Sequence, residues 1–195
     1  MRFLKSKTPV LNTDRLRLRL PETSDYAAWA ELRESSREFL EPWEPTWSDD
    51  HLTRDSFLAR VSWAETALKR VTGLSFLMIR RDDDILVGGI TLDQMLFGPS
   101  QSVNIGYWVG EPFARQGYMT EALRKLVHHC FTEIGLSRIE AACLPSNSAS
   151  CGLLEKTGFK YEGVAQSYLQ IAGYWRSHVL YANLRSDRRG RVGTG

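Results

Sequence analysis

Residues 115–120, Arg-Gln-Gly-Tyr-Met-Thr, gather the residue types from which an anion site is built. Pro112 cannot donate to a strand ladder, Gly117 can take the open backbone of a tight loop, and Thr120 followed by Glu121 reads as the acid-rich opening turn of a helix. That order leaves the N–H groups of Gln116 to Thr120 at the positive end of a helix dipole, where they can hold a phosphate or pyrophosphate. The same residues also fit an ordinary strand-to-helix turn with Arg115 exposed. Neither Gly-x-x-x-x-Gly-Lys-Ser/Thr nor Gly-x-Gly-x-x-Gly occurs in this stretch, so a nucleoside triphosphate and a dinucleotide are not the favoured ligands.

The remaining reactive side chains are spread along the chain. Asn147 and Ser150, three apart, share one face of a short helix, and Ser150 reads either as a proton donor or as a first-turn serine bonded to its own backbone. Glu140 falls on a strand and Glu44 in a loop between Trp43 and Trp47, and each carboxylate reads equally as solvated or ion-paired. His128 and His129 are adjacent, which points them about 100° apart on a helix, and neither has a partner four residues away, so no metal is expected. Cys130, Cys143 and Cys151 are odd in number and lack a paired metal spacing, which reads as free thiols in a reducing compartment. Cys143 is expected as a small buried residue, not a nucleophile.

The elements that must position these groups follow from periodicity. Residues 15–20 alternate strictly between arginine and leucine and make a half-buried strand, followed by a helix starting at Thr23/Ser24 with Tyr26, Trp29 and Leu32 inward. Two prolines and two tryptophans at 39–47 allow neither helix nor strand, so a loop of large rings either walls a cleft or covers the core. A helix over about 53–70 comes next, then a hairpin of 74–80 and 85–97 around Arg81-Asp82-Asp83-Asp84, and a strand at 102–109. The tail of the pattern is a helix over 120–134, a strand at 138–144, a helix at 146–158, and a closing hairpin of 159–168 and 174–184. This is a single α/β or α+β layer with helices on its faces.

At 195 residues and 43% apolar composition the chain can bury one full core, so one domain is expected. We expect residues 1–12 as an extension, 13–184 as the domain, and 185–195 as a basic, disordered tail with a ribosome or RNA contact as its minor reading. A net charge of +2 does not argue for nucleic acid or membrane as partner, and no apolar run approaches a membrane span or a signal peptide core. A cytoplasmic protein is expected, as monomer or homodimer.

Three pieces, taken together, carry a resemblance. Asn-Ile-Gly-Tyr-Trp-Val at 104–109, Arg-Gln-Gly-Tyr-Met-Thr-Glu-Ala at 115–122, and Pro-x-Asn-x-x-Ser with Leu-Leu-Glu-Lys-x-Gly-Phe at 145–159 resemble the GNAT acetyltransferases. Tyr-Leu-Gln-Ile-Ala-Gly-Tyr-Trp-Arg-Ser-His at 168–178 is similar to the ribosomal-protein alanine N-acetyltransferase (RimJ/RimL-like) branch. The likeness implies a mixed, mostly antiparallel sheet of about seven strands with about four helices, splayed between the strands at 102–109 and 138–144 around acetyl-CoA. It implies that Trp108 and Val109 offer backbone groups to the pantetheine and acetyl carbonyl, that the loop Arg115, Gln116, Gly117, Tyr118, Met119, Thr120 holds the pyrophosphate, and that Asn147 meets the pantetheine arm. It places His178 on the acceptor side, where a structural histidine is an equal reading. Ala114 and Met119 depart from the usual loop, and Met119 is expected to narrow the backbone approach.

Acetyl transfer from a thioester to an amine needs a neutral amine, a donor for the oxyanion and a proton for the thiolate. Ser150 is the candidate proton donor, with Glu140 and Glu44 as candidates to activate water or attract the ammonium. An α-amine near 7.7–8.0 is roughly 10–20% neutral at pH 7, whereas a lysine near 10.4 is neutral at below ~0.1%, so an N-terminal acceptor needs only a modest base. The expected reaction is direct transfer from acetyl-CoA, without a metal, to an amine, preferentially a protein N-terminus such as that of a ribosomal protein. A small amine (amino sugar, polyamine, antibiotic) as acceptor and a non-catalytic CoA-binding or ribosome-associated module are the alternatives.

Overall fold

Alternation along β2 (Leu16–Arg19) turns Leu16 and Leu18 to one face, where both are fully buried. The computed structural model describes residues 8–186. β2 lies between a two-residue strand, β1 (Leu11–Asn12), and β3 (Leu74–Arg80), whose run Leu-Ser-Phe-Leu-Met-Ile is buried on both faces. β4 (Leu86–Leu96) and β5 (Ser102–Val109) continue the meander, and β6 (Arg138–Cys143), β7 (Lys160–Ile171) and β8 (Tyr174–Leu184) complete one sheet in the order β1-β2-β3-β4-β5-β6-β8-β7.

Helices cover both faces. Phe76 and Met78 point to a core shared with α4 (Tyr118–His129) and α5 (Ser148–Lys156), while Leu77 and Ile79 point to a second cluster under α1 (Tyr26–Ser35) and α3 (Arg54–Arg70). One further short helix, α2 (Arg37–Leu40), leads into the tryptophan loop. Among the described residues eight strands and five α-helices therefore stand where about seven and about four were expected, β1 and α2 being too short to register in a periodicity.

The sheet is antiparallel except at its centre. β5 and β6 run parallel and pair only where Ser102–Asn104 meets Arg138–Glu140. Beyond that, Ile105 to Val109 pair with β4 alone and Ala141 to Cys143 with β8 alone, so the sheet parts as the resemblance implied.

Local chemistry shifts several element ends. Glu22, not Thr23 or Ser24, caps a 3-10 turn at Thr23–Asp25 ahead of α1. α4 begins two residues early because Gly117, at φ 83°, turns the chain straight into the helix, and it ends in a π turn, Cys130–Ile134, stopped by Gly135 at φ 82°. The expected extension at 1–12 is described only from residue 8, and the expected tail at 185–195 lies outside the described residues from 187 onward.

Glu121 fastens α4 to the sheet edge. Its carboxylate accepts from the Thr13 hydroxyl at 2.5 Å, the Arg15 amide at 2.8 Å and Arg15 Nε at 2.7 Å. Burial acts to raise its pKa, but these bonds outweigh burial and hold it below the usual carboxylate range. A depressed carboxylate stabilises the fold fully above its unfolded value near 4.3 and loses that contribution as pH falls through the folded value. Glu121→Gln is expected to cost about 1 kcal/mol at pH 7, roughly 2–4 °C in Tm, with the gap from the parent narrowing below about pH 4 in thermal melts.

Candidate active site

Between Val109 and α4 the chain makes a 3-10 turn, Glu111–Phe113, and then holds Arg115 at φ 62° and Gly117 at φ 83°. A left-handed arginine is a strained backbone position, sustained because its neighbours over-determine it. Gln116 donates from Nε2 to the Pro112 carbonyl at 2.7 Å, and Arg15 Nη1 donates to the Gln116 carbonyl at 3.1 Å. Held from behind in this way, the N–H groups of Gln116 to Thr120 form no hydrogen bond within the described residues, and the first internal bond of the turn runs from Glu121 N to Gly117 O at 3.1 Å. Consecutive unpaired amides at a helix start are an anion cradle. Met119, expected to narrow the approach, is buried in the core cluster while also bordering the cleft.

Arg115 and Gly117 to Thr120, but not Gln116, line a cleft of about 660 Å³ that follows the parted ends of β5 and β6. Arg115, Asn147, Ser150 and Lys156 line one end of it. Asn147 caps α5, its Oδ1 accepting from Ser150 N at 3.0 Å, which leaves its amide nitrogen as a donor. The Ser150 hydroxyl does not turn back on its own backbone. It lies 2.7 Å from the hydroxyl of Tyr107, which also lines the cleft. Burial holds the Tyr107 phenol above its usual range and the Ser150 bond only partly offsets this, so Tyr107 stays protonated at neutral pH. Cys143 lines the same wall, its sulfur 3.4 Å from that of Cys151, and burial pushes its thiol up to about 12. A thiol so held is a wall, not a nucleophile.

The other end of the cleft is walled by Phe39, Trp43 and Glu44 on one side and by Leu169, Ile171 and His178 on the other. Both readings of the tryptophan loop hold: Trp43 is 39% exposed on the cleft, whereas Trp47 is buried. Glu44 is tied to Arg33, accepting from Nη1 at 2.9 Å and also from Nη2, and it accepts from Trp47 Nε1 at 2.8 Å. The Arg33 guanidinium, nearly sealed from water, lies 4.4 Å from the Trp47 ring and 4.9 Å from the Trp108 ring. Trp108 in turn lies across Gly89, where an added Cβ would come within 2.7 Å of its Nε1. Glu140 sits elsewhere. It pairs with Arg138 at 2.7 Å, within the last paired row of β5 and β6, and is not among the residues lining the cleft.

The model of the acetyltransferase (GNAT) domain matches residues 15–160 of this chain. The chain belongs to the GNAT family. An Escherichia coli enzyme named [ribosomal protein uS5]-alanine N-acetyltransferase is 32% identical over 177 residues, 91% of each chain. A probable N-acetyltransferase of Bacillus subtilis, YjcK, is 34% identical over 156 residues, 80% of this chain and 86% of its own. Among solved structures, Mycobacterium smegmatis RimJ in complex with CoA-disulfide superposes with a TM-score of 0.87 at 31% identity, over 94% of this chain and 90% of that one. The protein is thus an acetyl-CoA-dependent GNAT N-acetyltransferase of the RimJ/RimL kind.

Sequence reading missed Tyr107 and Lys156. Tyr107 stood in plain view beside Trp108, but only the fold brings it to Ser150, 43 residues away in sequence. Lys156 reads as the last-turn cation of α5 and gains meaning only from the direction that helix faces.

Two outcomes test this geometry. Gly117→Ala places a side chain at a left-handed angle, which costs about 1–2 kcal/mol, and is expected to weaken CoA binding about tenfold in calorimetric titration. His51, stacked on Trp47 at 4.4 Å, is held down to about 4 by burial and by Arg60 and Arg33. Its ring is neutral in the fold, so this contribution to stability is complete above about 6.5 and is lost as pH falls toward 4. NMR titration of the ring is expected to show no protonation above about pH 5.

Proposed function

We propose that this GNAT enzyme acetylates a protein N-terminal α-amine, with a ribosomal protein in the cytoplasm as the favoured acceptor. The observation that carries this reading is the part of the cleft where the exposed Trp43, the half-buried Phe39 and aliphatic side chains flank one fixed carboxylate, Glu44. Such a trough suits an extended chain end with a single positive charge, and a compact polyamine would call for more anions than this wall offers. The 32% identity to the uS5-alanine enzyme over 91% of both chains supports the same acceptor class.

In this reading the amides of Gln116 to Thr120 grip the pyrophosphate, with Arg115 and Lys156 adding positive charge from either side. The unpaired edge of β5 at Trp108 and Val109 offers main-chain groups to the pantetheine and to the acetyl oxygen, and the Asn147 amide nitrogen meets the pantetheine arm. Glu44 draws the ammonium in. Ser150 gives its proton to the departing thiolate and is resupplied by the Tyr107 hydroxyl 2.7 Å behind it. Glu140, engaged with Arg138, takes no part at the reacting atoms in this scheme.

A panel of N-terminal peptides and small amines with labelled acetyl-CoA tests the acceptor. Peptide acetylation at the α-amine is expected, and exclusive acetylation of a small amine would overturn the reading. Ser150→Ala and Tyr107→Phe are expected to lower kcat about 10²-fold with CoA affinity kept. A non-catalytic CoA-binding module would release no thiol with any amine on the panel.

A further inference from the structure

β6 runs out at Cys143, which pairs with Val179 of β8. The preceding residue on β8, His178, therefore lies where the sheet has lost its central partner, and it lines the cleft with Leu169 and Ile171. Only 3% of it is exposed. Its Nδ1 is 2.9 Å from the carbonyl oxygen of Arg176. A carbonyl only accepts, so Nδ1 carries the hydrogen of this bond, which leaves Nε2 as the ring nitrogen that offers a lone pair in the neutral tautomer. Tyr168 packs edge-on at 5.5 Å and 62°, which fixes the plane of the ring. Nε2 makes no hydrogen bond within the described residues.

The carboxylate, phenol and thiol groups that line the cleft are committed. The Glu44 carboxylate already accepts from Arg33 and Trp47, the Tyr107 phenol keeps its proton, and the Cys143 thiol is buried and neutral. We propose that Nε2 of His178 is the catalytic group that takes the proton from the attacking amine. The amine nitrogen forms a bond to the thioester carbon and its N–H proton passes to Nε2, directly or through one water. The tetrahedral adduct then collapses, the C–S bond breaks, and the sulfur takes the proton of Ser150. A mole of amide and a mole of CoA thiol leave, His178 gives its proton to solvent, and the Ser150–Tyr107 pair takes one back from solvent, so both groups return to their starting state. This rests on the preceding reading for the side from which the amine arrives, but not on which amine it is.

His178→Asn tests it, since the asparagine amide can still donate to the Arg176 carbonyl while the second ring nitrogen is gone. With acetyl-CoA and whichever amine the parent acetylates fastest, kcat is expected to fall 10²-fold or more, with CoA affinity and thermal midpoint little changed. In His178→Gly, added imidazole is expected to restore turnover, whereas pyrazole, of equal size and far weaker basicity, restores little. Retention of more than a third of kcat in His178→Asn, or equal rescue by the two azoles, would overturn the assignment. If His178→Asn fails to fold, the azole comparison decides alone. Exclusive use of small amines by the parent would sink the protein acceptor while leaving the histidine test intact.

Discussion

Three residues of parallel pairing, Ser102–Asn104 against Arg138–Glu140, join the two halves of this sheet, and the candidate active-site cleft opens where that pairing stops. A strand edge left open inside a protein carries unpaired N–H and C=O groups, each costly if nothing meets it. In the proposed scheme the amide-bearing arm of acetyl-CoA stands where a strand would continue and meets these groups. The meander from β1 to β5 on one side and the β6–β8–β7 ladder on the other are each internally antiparallel, so each keeps its shape without help across the gap.

The acceptor side depends on a buried cation. Arg33 is shielded from water by Trp47 and Trp108, and Glu44 supplies the counter-charge that makes such burial tolerable. One assembly thereby sets two walls. Trp108 is on β5, beside the cofactor gap, and Glu44 is in the loop after α2, so the guanidinium stacked between the rings couples the place of the carboxylate to the strand that borders the cofactor. The close packing of Trp108 on Gly89 is what gives the stack its floor.

Much of this was legible in the residues themselves. The phosphate-type loop at 116–120 and the strands at 102–109 and 138–144 follow from local rules of glycine turns and alternation, which act over a few residues, whereas the parting of those two strands was implied only by the family resemblance. The Tyr107–Ser150 contact, the Arg33–Glu44 pair and the withdrawal of Glu140 into an ion pair with Arg138 are consequences of tertiary geometry, which no spacing encodes. Met119 marks the boundary. Its size suggested a narrowed loop, yet the sense in which the first turn of α4 faces decides that the side chain packs inward.

One main-chain hydrogen bond remains, from the Ala172 amide at the tip of the β7–β8 hairpin to the Glu44 carbonyl, at 3.1 Å. It ties the tryptophan loop to the hairpin, two segments whose residues line the same cleft. A shift of either is therefore felt by the other, so the width of the cleft there is set by how the two are joined as much as by the side chains they carry.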